Sequence, residues 1–131
     1  MAGFLSQQQL IIWLPLVVIL IALVLFKRLG QVSAGEATRL LDKGALIIDV
    51  RGTGEFADGH IDGAVNVPLD HLAESIARTA PDPTQPILLH CLSGTRSAMA
   101  KRVLKSRGYT NVHNLGSLAR AREIVAGAHG K

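Results

Sequence analysis

A chain of 131 residues has room for one domain of ordinary size, and part of this one is committed to something other than a water-soluble core. Its single cysteine excludes an intramolecular disulfide and leaves one thiol free to react. The net charge of +4 is uneven, with eight of the 14 Lys and Arg but one of the ten Asp and Glu beyond residue 95; with Tyr109 as the only aromatic there, that part lacks the stacking surface of a nucleic-acid binder and reads as a solvated helix face or a field favouring anionic substrates and thiolates.

Residues 1–9 form a short N-terminal tail without Lys or Arg. The 17 residues that follow, 10–26, are apolar and uncharged. As a helix they would reach about 26 Å, close to the thickness of a bilayer's hydrocarbon core. The spacing predicts a membrane-spanning helix over 10–29, with Trp13 at one boundary and Pro15 in the first turns, where a missing N–H costs least. Lys27 and Arg28 come directly after the run, so the positive-inside rule puts them in the cytoplasm and makes the soluble part a cytoplasm-facing domain at the inner membrane. The alternative is a signal peptide cleaved near Val32-Ser33-Ala34, which would release a periplasmic domain, but a signal peptide carries its positive charge before the apolar run rather than after it.

The domain is expected over 30–126, with 127–131 as a flexible tail. Ser33 and Glu36, three apart, have the form of a capping box, so a helix should start at about Ala34 and stop by Gly44. Residues 45–50 are a continuous apolar run ending in Asp49-Val50, the pattern of a strand covered on both faces, and 87–90 repeat it. Between them, 52–63 is rich in Gly and acidic residues and reads as loop, 64–67 as a short strand stopped by Pro68, and 70–77 as a helix. A helix from about Ser97 to Arg107, a strand over 111–114 and a helix over 118–126 complete an alternation that predicts an α/β domain built on a parallel sheet.

The segment with chemical content is the end of the 87–90 strand, where Cys91-Leu92-Ser93-Gly94-Thr95-Arg96 leads into a helix. In parallel α/β sheets ligands bind at the carboxyl ends of strands, where loop amides and a helix N-terminus converge. A thiol is a nucleophile as its thiolate, and the helix dipole, the loop amides and Arg96 would all favour that anion. Gly94 allows the tight curl, and Ser93 and Thr95 offer hydroxyl donors. A cysteine phosphatase or arsenate reductase uses a related cradle but places its Arg one position further on; here Arg96 is five positions after Cys91, and the shorter ring suits a single sulfur atom. The five His show no ligand spacing and there is one Cys, so neither metal nor cofactor is expected. Met99 is expected to pack, Lys101 and Lys105 to lie on a solvated face, and His90 to be a satisfied packing residue rather than a base.

Leu46-Ile47-Ile48-Asp49-Val50-Arg51, Glu55-Phe56, Gly59-His60-Ile61-Asp62-Gly63-Ala64, Asn66-Val67-Pro68-Leu69, the Cys91 loop with Arg96-Ser97, and Gly108-Tyr109-Thr110-Asn111-Val112 together resemble the single-domain rhodanese sulfurtransferases over most of 33–118. The resemblance implies that Cys91 takes a sulfane sulfur from thiosulfate, a polysulfide or a protein persulfide and passes it to a thiol, cyanide or an acceptor protein. It assigns substrate binding to Leu92, Ser93, Gly94, Thr95, Arg96 and Ser97, a supporting ion pair to Asp49 and Arg51, and a turn to Gly59, His60 and Gly63. Two departures stand out. Leu92 replaces a residue that is often charged, which implies that thiosulfate is a modest donor; and Gly116-Ser117-Leu118 leads into a last helix without the usual aromatic, which implies loose packing. A membrane-tethered, non-catalytic interaction module is the competing reading of the same fold.

Overall fold

Ser6 starts the first helix by a reciprocal cap, its hydroxyl accepting from the Gln9 amide while the Gln9 side chain accepts from the Ser6 amide, both at 3.3 Å. This computed structural model describes Gly3 and residues 6–130 and divides into two units, which meet in sequence between Gly30 and Gln31. Helix α1 (Gln7–Leu29) makes up most of the first. It begins three residues before the apolar run, so residues 7–9 of the expected tail are helical; Met1, Ala2, Phe4 and Leu5 lie outside the described residues. The earlier start also puts Pro15 in the helix interior rather than its first turns, where the Ile11 carbonyl has no amide to accept from. Lys27 and Arg28 occupy the last turn, where cations complement the helix dipole. The helix has no buried residue and a mean hydropathy of 2.9 over its most apolar window, and it is long and apolar enough to cross a membrane.

The second unit is the α/β domain that the alternation of strands and helices predicts. In chain order it contains α2 (Ala34–Asp42), β1 (Leu46–Asp49), α3 (Thr53–Ala57), β2 (Val65–Asn66), α4 (Leu69–Thr79), β3 (Ile87–His90), α5 (Thr95–Ser106), β4 (Val112–Gly116) and α6 (Leu118–His129). The four strands form one all-parallel sheet in the order β2-β1-β3-β4. Side chains alternate across a strand, so the sheet feeds two cores. Ile48 and Leu89 join Leu72 and Ile76 of α4 and Ala100 and Leu104 of α5 on one face. Ile47 and Leu88 join Ala37 and Leu40 of α2 and Ala121, Ile124 and Val125 of α6 on the other. The central strands are covered on both sides, which is why they read as continuous apolar runs.

Several local expectations are corrected. Ser33 caps α2 by accepting from the Glu36 amide at 3.2 Å, but the Glu36 carboxylate turns to Arg39 instead of completing the box. The 52–63 loop contains α3, whose start is held by Glu55 Oε1 accepting from the Gly52 amide at 3.1 Å; Phe56, on its last turn, stacks on His60 with ring centroids 3.7 Å apart. Helix α5 starts at Thr95, two residues early, and so takes Thr95 and Arg96 into its first turn. Strand β4 runs on to Gly116 through a register shift opposite Leu89 and His90. Helix α6 continues to His129, so most of the expected 127–131 tail is helical, while Lys131 lies outside the described residues. Nor does α6 pack loosely: Leu118, Ala121, Ile124 and Val125 are all buried, so small and branched residues fill the space without an aromatic. Met99 is 52% exposed, because the inward positions of α5 are Ser97, Ala100 and Leu104.

Candidate active site

The loop after β3 is fixed by the bulged end of β4 beside it. The Cys91 amide donates to the Gly116 carbonyl at 3.2 Å, and the Leu118 amide to the Leu92 carbonyl at 3.2 Å. Asn114 reaches across with both ends of its amide, accepting from the Gly116 amide at 2.8 Å and donating to the Gly94 carbonyl at 3.3 Å. Two glycines permit this close approach. Gly94 and Gly116 have φ of 97° and 95°, in the left-handed region, and a Cβ on Gly116 would sit 2.6 Å from the Gln31 side-chain nitrogen. Gln31 and Asn114 therefore line the back of the loop, a role that no local sequence pattern signals.

Within that frame the Cys91 sulfur is fully buried and surrounded by donors. The Gly94 amide donates to Sγ at 3.0 Å, and the Ser97 hydroxyl lies 3.5 Å from Sγ and 3.1 Å from the Gly94 carbonyl. With one hydrogen to give, that hydroxyl turns toward sulfur most strongly when the sulfur is charged. Burial pushes the thiol pKa up, but the Ser97 hydroxyl and amide and the amides of Gly94 and Ser93 outweigh it, and the net shift is downward. The hydroxyl that reaches the sulfur is thus Ser97's; Ser93 and Thr95 are exposed. Replacing Ser97 by alanine is expected to raise the apparent pKa of Cys91. The rate of iodoacetamide alkylation followed against pH checks this: its midpoint should move to higher pH in the variant, and an unchanged midpoint would leave the amides as the whole cause.

Arg96 sits at the start of α5 but makes no hydrogen bond to the sulfur. Its guanidinium faces Glu55, Nη1 to Oε1 at 2.7 Å and Nη2 to Oε2 at 3.0 Å. The Arg96 pairing, then the Gly52 amide, hold the Glu55 carboxyl at about 2. The motif containing Glu55 is visible in the sequence, but its pairing across 41 positions is not.

Asp49 and Arg51 form a buried ion pair at the carboxyl end of β1. Arg51 Nη2 lies 2.8 Å from Asp49 Oδ2 and Nε 3.0 Å from both carboxylate oxygens, and Nη2 also donates to the Gly59 carbonyl at 2.7 Å. His90, expected to be satisfied, is not: its Nδ1 is 3.3 Å from the Cys91 carbonyl, but Nε2, 3.6 Å from Asp49 Oδ2, has no hydrogen-bond partner. Burial, only partly offset by Asp49, pushes the His90 pKa down. His60 Nδ1 lies 2.8 Å from the Phe56 carbonyl, which pins the turn after α3. A cleft of about 330 Å³ lined by His60, Asp62, Arg122 and His129 includes no residue of the Cys91 loop. Among the described residues no group of three or more His, Cys, Asp and Glu could hold a metal ion.

Known proteins are similar to this chain in sequence and in fold. The family description "Rhodanese-like domain" matches residues 33–119. Thiosulfate sulfurtransferase PspE of Escherichia coli is 39% identical over 71 residues, which cover 54% of this chain and 68% of that protein. Thiosulfate sulfurtransferase GlpE of Pseudomonas fluorescens is 33% identical over 90 residues, 69% of this chain and 78% of that one. Among solved structures, the human single-domain sulfurtransferase TSTD1 superimposes with a TM-score of 0.62 at 30% identity, over 72% of this chain and 96% of its own. With the all-parallel four-stranded sheet and a cysteine loop between β3 and α5, these matches place the chain in the rhodanese-like domain family, whose sulfurtransferases are its relatives.

Proposed function

We propose that this protein moves a sulfane sulfur through a persulfide on Cys91. The observation that carries the reading is the cradle around that sulfur. It holds an amide at 3.0 Å, a hydroxyl at 3.5 Å and the first turn of a twelve-residue helix, which together favour a thiolate and then the terminal sulfur of a persulfide. In the first half-reaction the thiolate attacks the outer sulfur of the donor, the donor's S–S bond breaks, and sulfite or a thiolate leaves. In the second, cyanide, a thiol or an acceptor protein takes that sulfur and restores Cys91. Such a cycle is covalent and ping-pong. The buried Asp49–Arg51 pair supports it by fixing the carboxyl end of β1 and the Gly59 turn beside the loop. Intact-mass spectrometry after incubation with thiosulfate or glutathione persulfide tests the reading. The mass should rise by one sulfur atom and fall back on addition of cyanide; no gain from either donor would leave a binding module.

We further propose that α1 is retained as a single membrane anchor, with a domain of about residues 30–126 on the cytoplasmic side. The apolar run with Lys27 and Arg28 at its end supports this. A C-terminal tag should be digested by protease only after spheroplasts are lysed; digestion in intact spheroplasts would reverse the orientation.

A further inference from the structure

Two features of the Cys91 loop point away from a small, highly charged donor. Arg96, the one cation in residues 91–97, is paired end-on with Glu55, and both side chains are more than one-third exposed, at 37% and 38%. Leu92 on the loop and Met99, three residues beyond Arg96 on α5, are both more than half exposed. Positions three apart share a helix face, so Arg96 is followed on its own face by an apolar side chain. Glu55 is fixed independently, because its Oε1 also accepts from the Gly52 amide.

The two half-reactions differ in the charge they bring together. Thiolate and thiosulfate combine three negative charges; the thiolate's electron pair forms the new S–S bond, the pair of the broken S–S bond departs with sulfite, and nothing is oxidised overall. An alkyl hydropersulfide, R–S–SH, undergoes the same displacement with one negative charge, yielding the Cys91 persulfide, which keeps the proton, and an alkyl thiolate. The first needs a free cation and the second does not. We infer that Glu55 determines donor specificity: by occupying Arg96 it leaves the site suited to alkyl persulfides, with Leu92 and Met99 as the apolar rim against which the carrier of that persulfide rests. This rests on the sulfurtransferase reading above and names its substrate class.

An ion pair this exposed is weak, so releasing Arg96 should change donor preference by about tenfold rather than by many orders of magnitude. The test uses the full-length chain in detergent, with Cys91 persulfide formation followed by intact mass. In the unaltered protein, kcat/KM for glutathione persulfide should exceed that for thiosulfate by at least tenfold. In Glu55→Gln, the ratio of thiosulfate to glutathione persulfide kcat/KM should rise about tenfold, mainly through a lower thiosulfate KM. That KM should also become more sensitive to added salt. A variant in which both donors lose efficiency in proportion would make Glu55 a strut for Arg96 and overturn the inference, as would thiosulfate being the better donor of the unaltered protein. Those results leave the sulfurtransferase reading standing; transfer from neither donor would remove both. Glu55→Asp, which shortens the side chain by one methylene and withdraws the carboxylate from Arg96, gives a second reading should Glu55→Gln not fold: the ratio should rise in the same direction, and an unchanged ratio would overturn the inference.

Discussion

Replacing Cys91 by serine is expected to reduce sulfur transfer from either donor to cyanide by roughly a thousandfold or more, while the domain stays folded. The expectation follows from the chemistry of one atom. A serine hydroxyl in the same cradle is not ionised near neutral pH and does not form a stable bond to a sulfane sulfur, so no covalent intermediate accumulates. The fold has little reason to object. The replacement Oγ is smaller than sulfur but inherits the Gly94 amide as a donor and the Ser97 hydroxyl as a neighbour, so it is buried with partners rather than orphaned. Stability should therefore change by about 1–2 kcal/mol at most. The measurement pairs thiosulfate:cyanide turnover with a thermal unfolding midpoint for both proteins. Equal turnover in the serine variant would show that sulfur does not pass through Cys91.

That prediction rests on features that could be read from the chain itself. Strands β1 and β3 are short, apolar up to a polar last residue (Asp49 and His90) and set off by Gly or Pro, so their place in the middle of a doubly covered sheet is legible, and with it the position of Cys91 at a carboxyl end. The helix after the loop was legible too, though not its start, because Gly94 in the left-handed region caps α5 without any side-chain signal. Pairings between distant segments were not legible. Glu55 meets Arg96, Asn114 meets Gly94 and Gln31 covers Gly116 because strand order and the β4 bulge bring them together, and local spacing carries no record of either. Helix α3 was hidden for a related reason. Its five residues have no apolar period, and it is held by one side-chain cap and one aromatic–histidine stack. Met99 is the converse case: its hydrophobicity predicts packing, but the register of α5 sends Ser97, Ala100 and Leu104 inward and leaves Met99 exposed.

Removing the Asp49 carboxylate should do the opposite of removing the Cys91 thiol, destabilising the fold before it touches the chemistry. Asp49 is completely buried, and besides the Arg51 guanidinium it accepts from the Arg51 backbone amide at 3.0 Å. Arg51 is itself 4% exposed, so in Asp49→Ala its cation would keep the Gly59 carbonyl as its remaining partner and lie otherwise unpaired in the interior. An uncompensated buried charge typically costs about 3–5 kcal/mol, a large part of the 5–15 kcal/mol that holds a typical domain together. Intact, the pair contributes less than this cost suggests, because both ions were desolvated to make it. Asp49→Asn separates the two effects: its amide oxygen still accepts a hydrogen bond, so the loss should be smaller than for alanine. Urea unfolding of the three proteins, compared by midpoint at constant slope, checks the order unaltered, asparagine, alanine. If the alanine variant unfolds at the same urea concentration as the unaltered protein, water reaches Arg51, and the β1 end is not the dry anchor that its burial indicates.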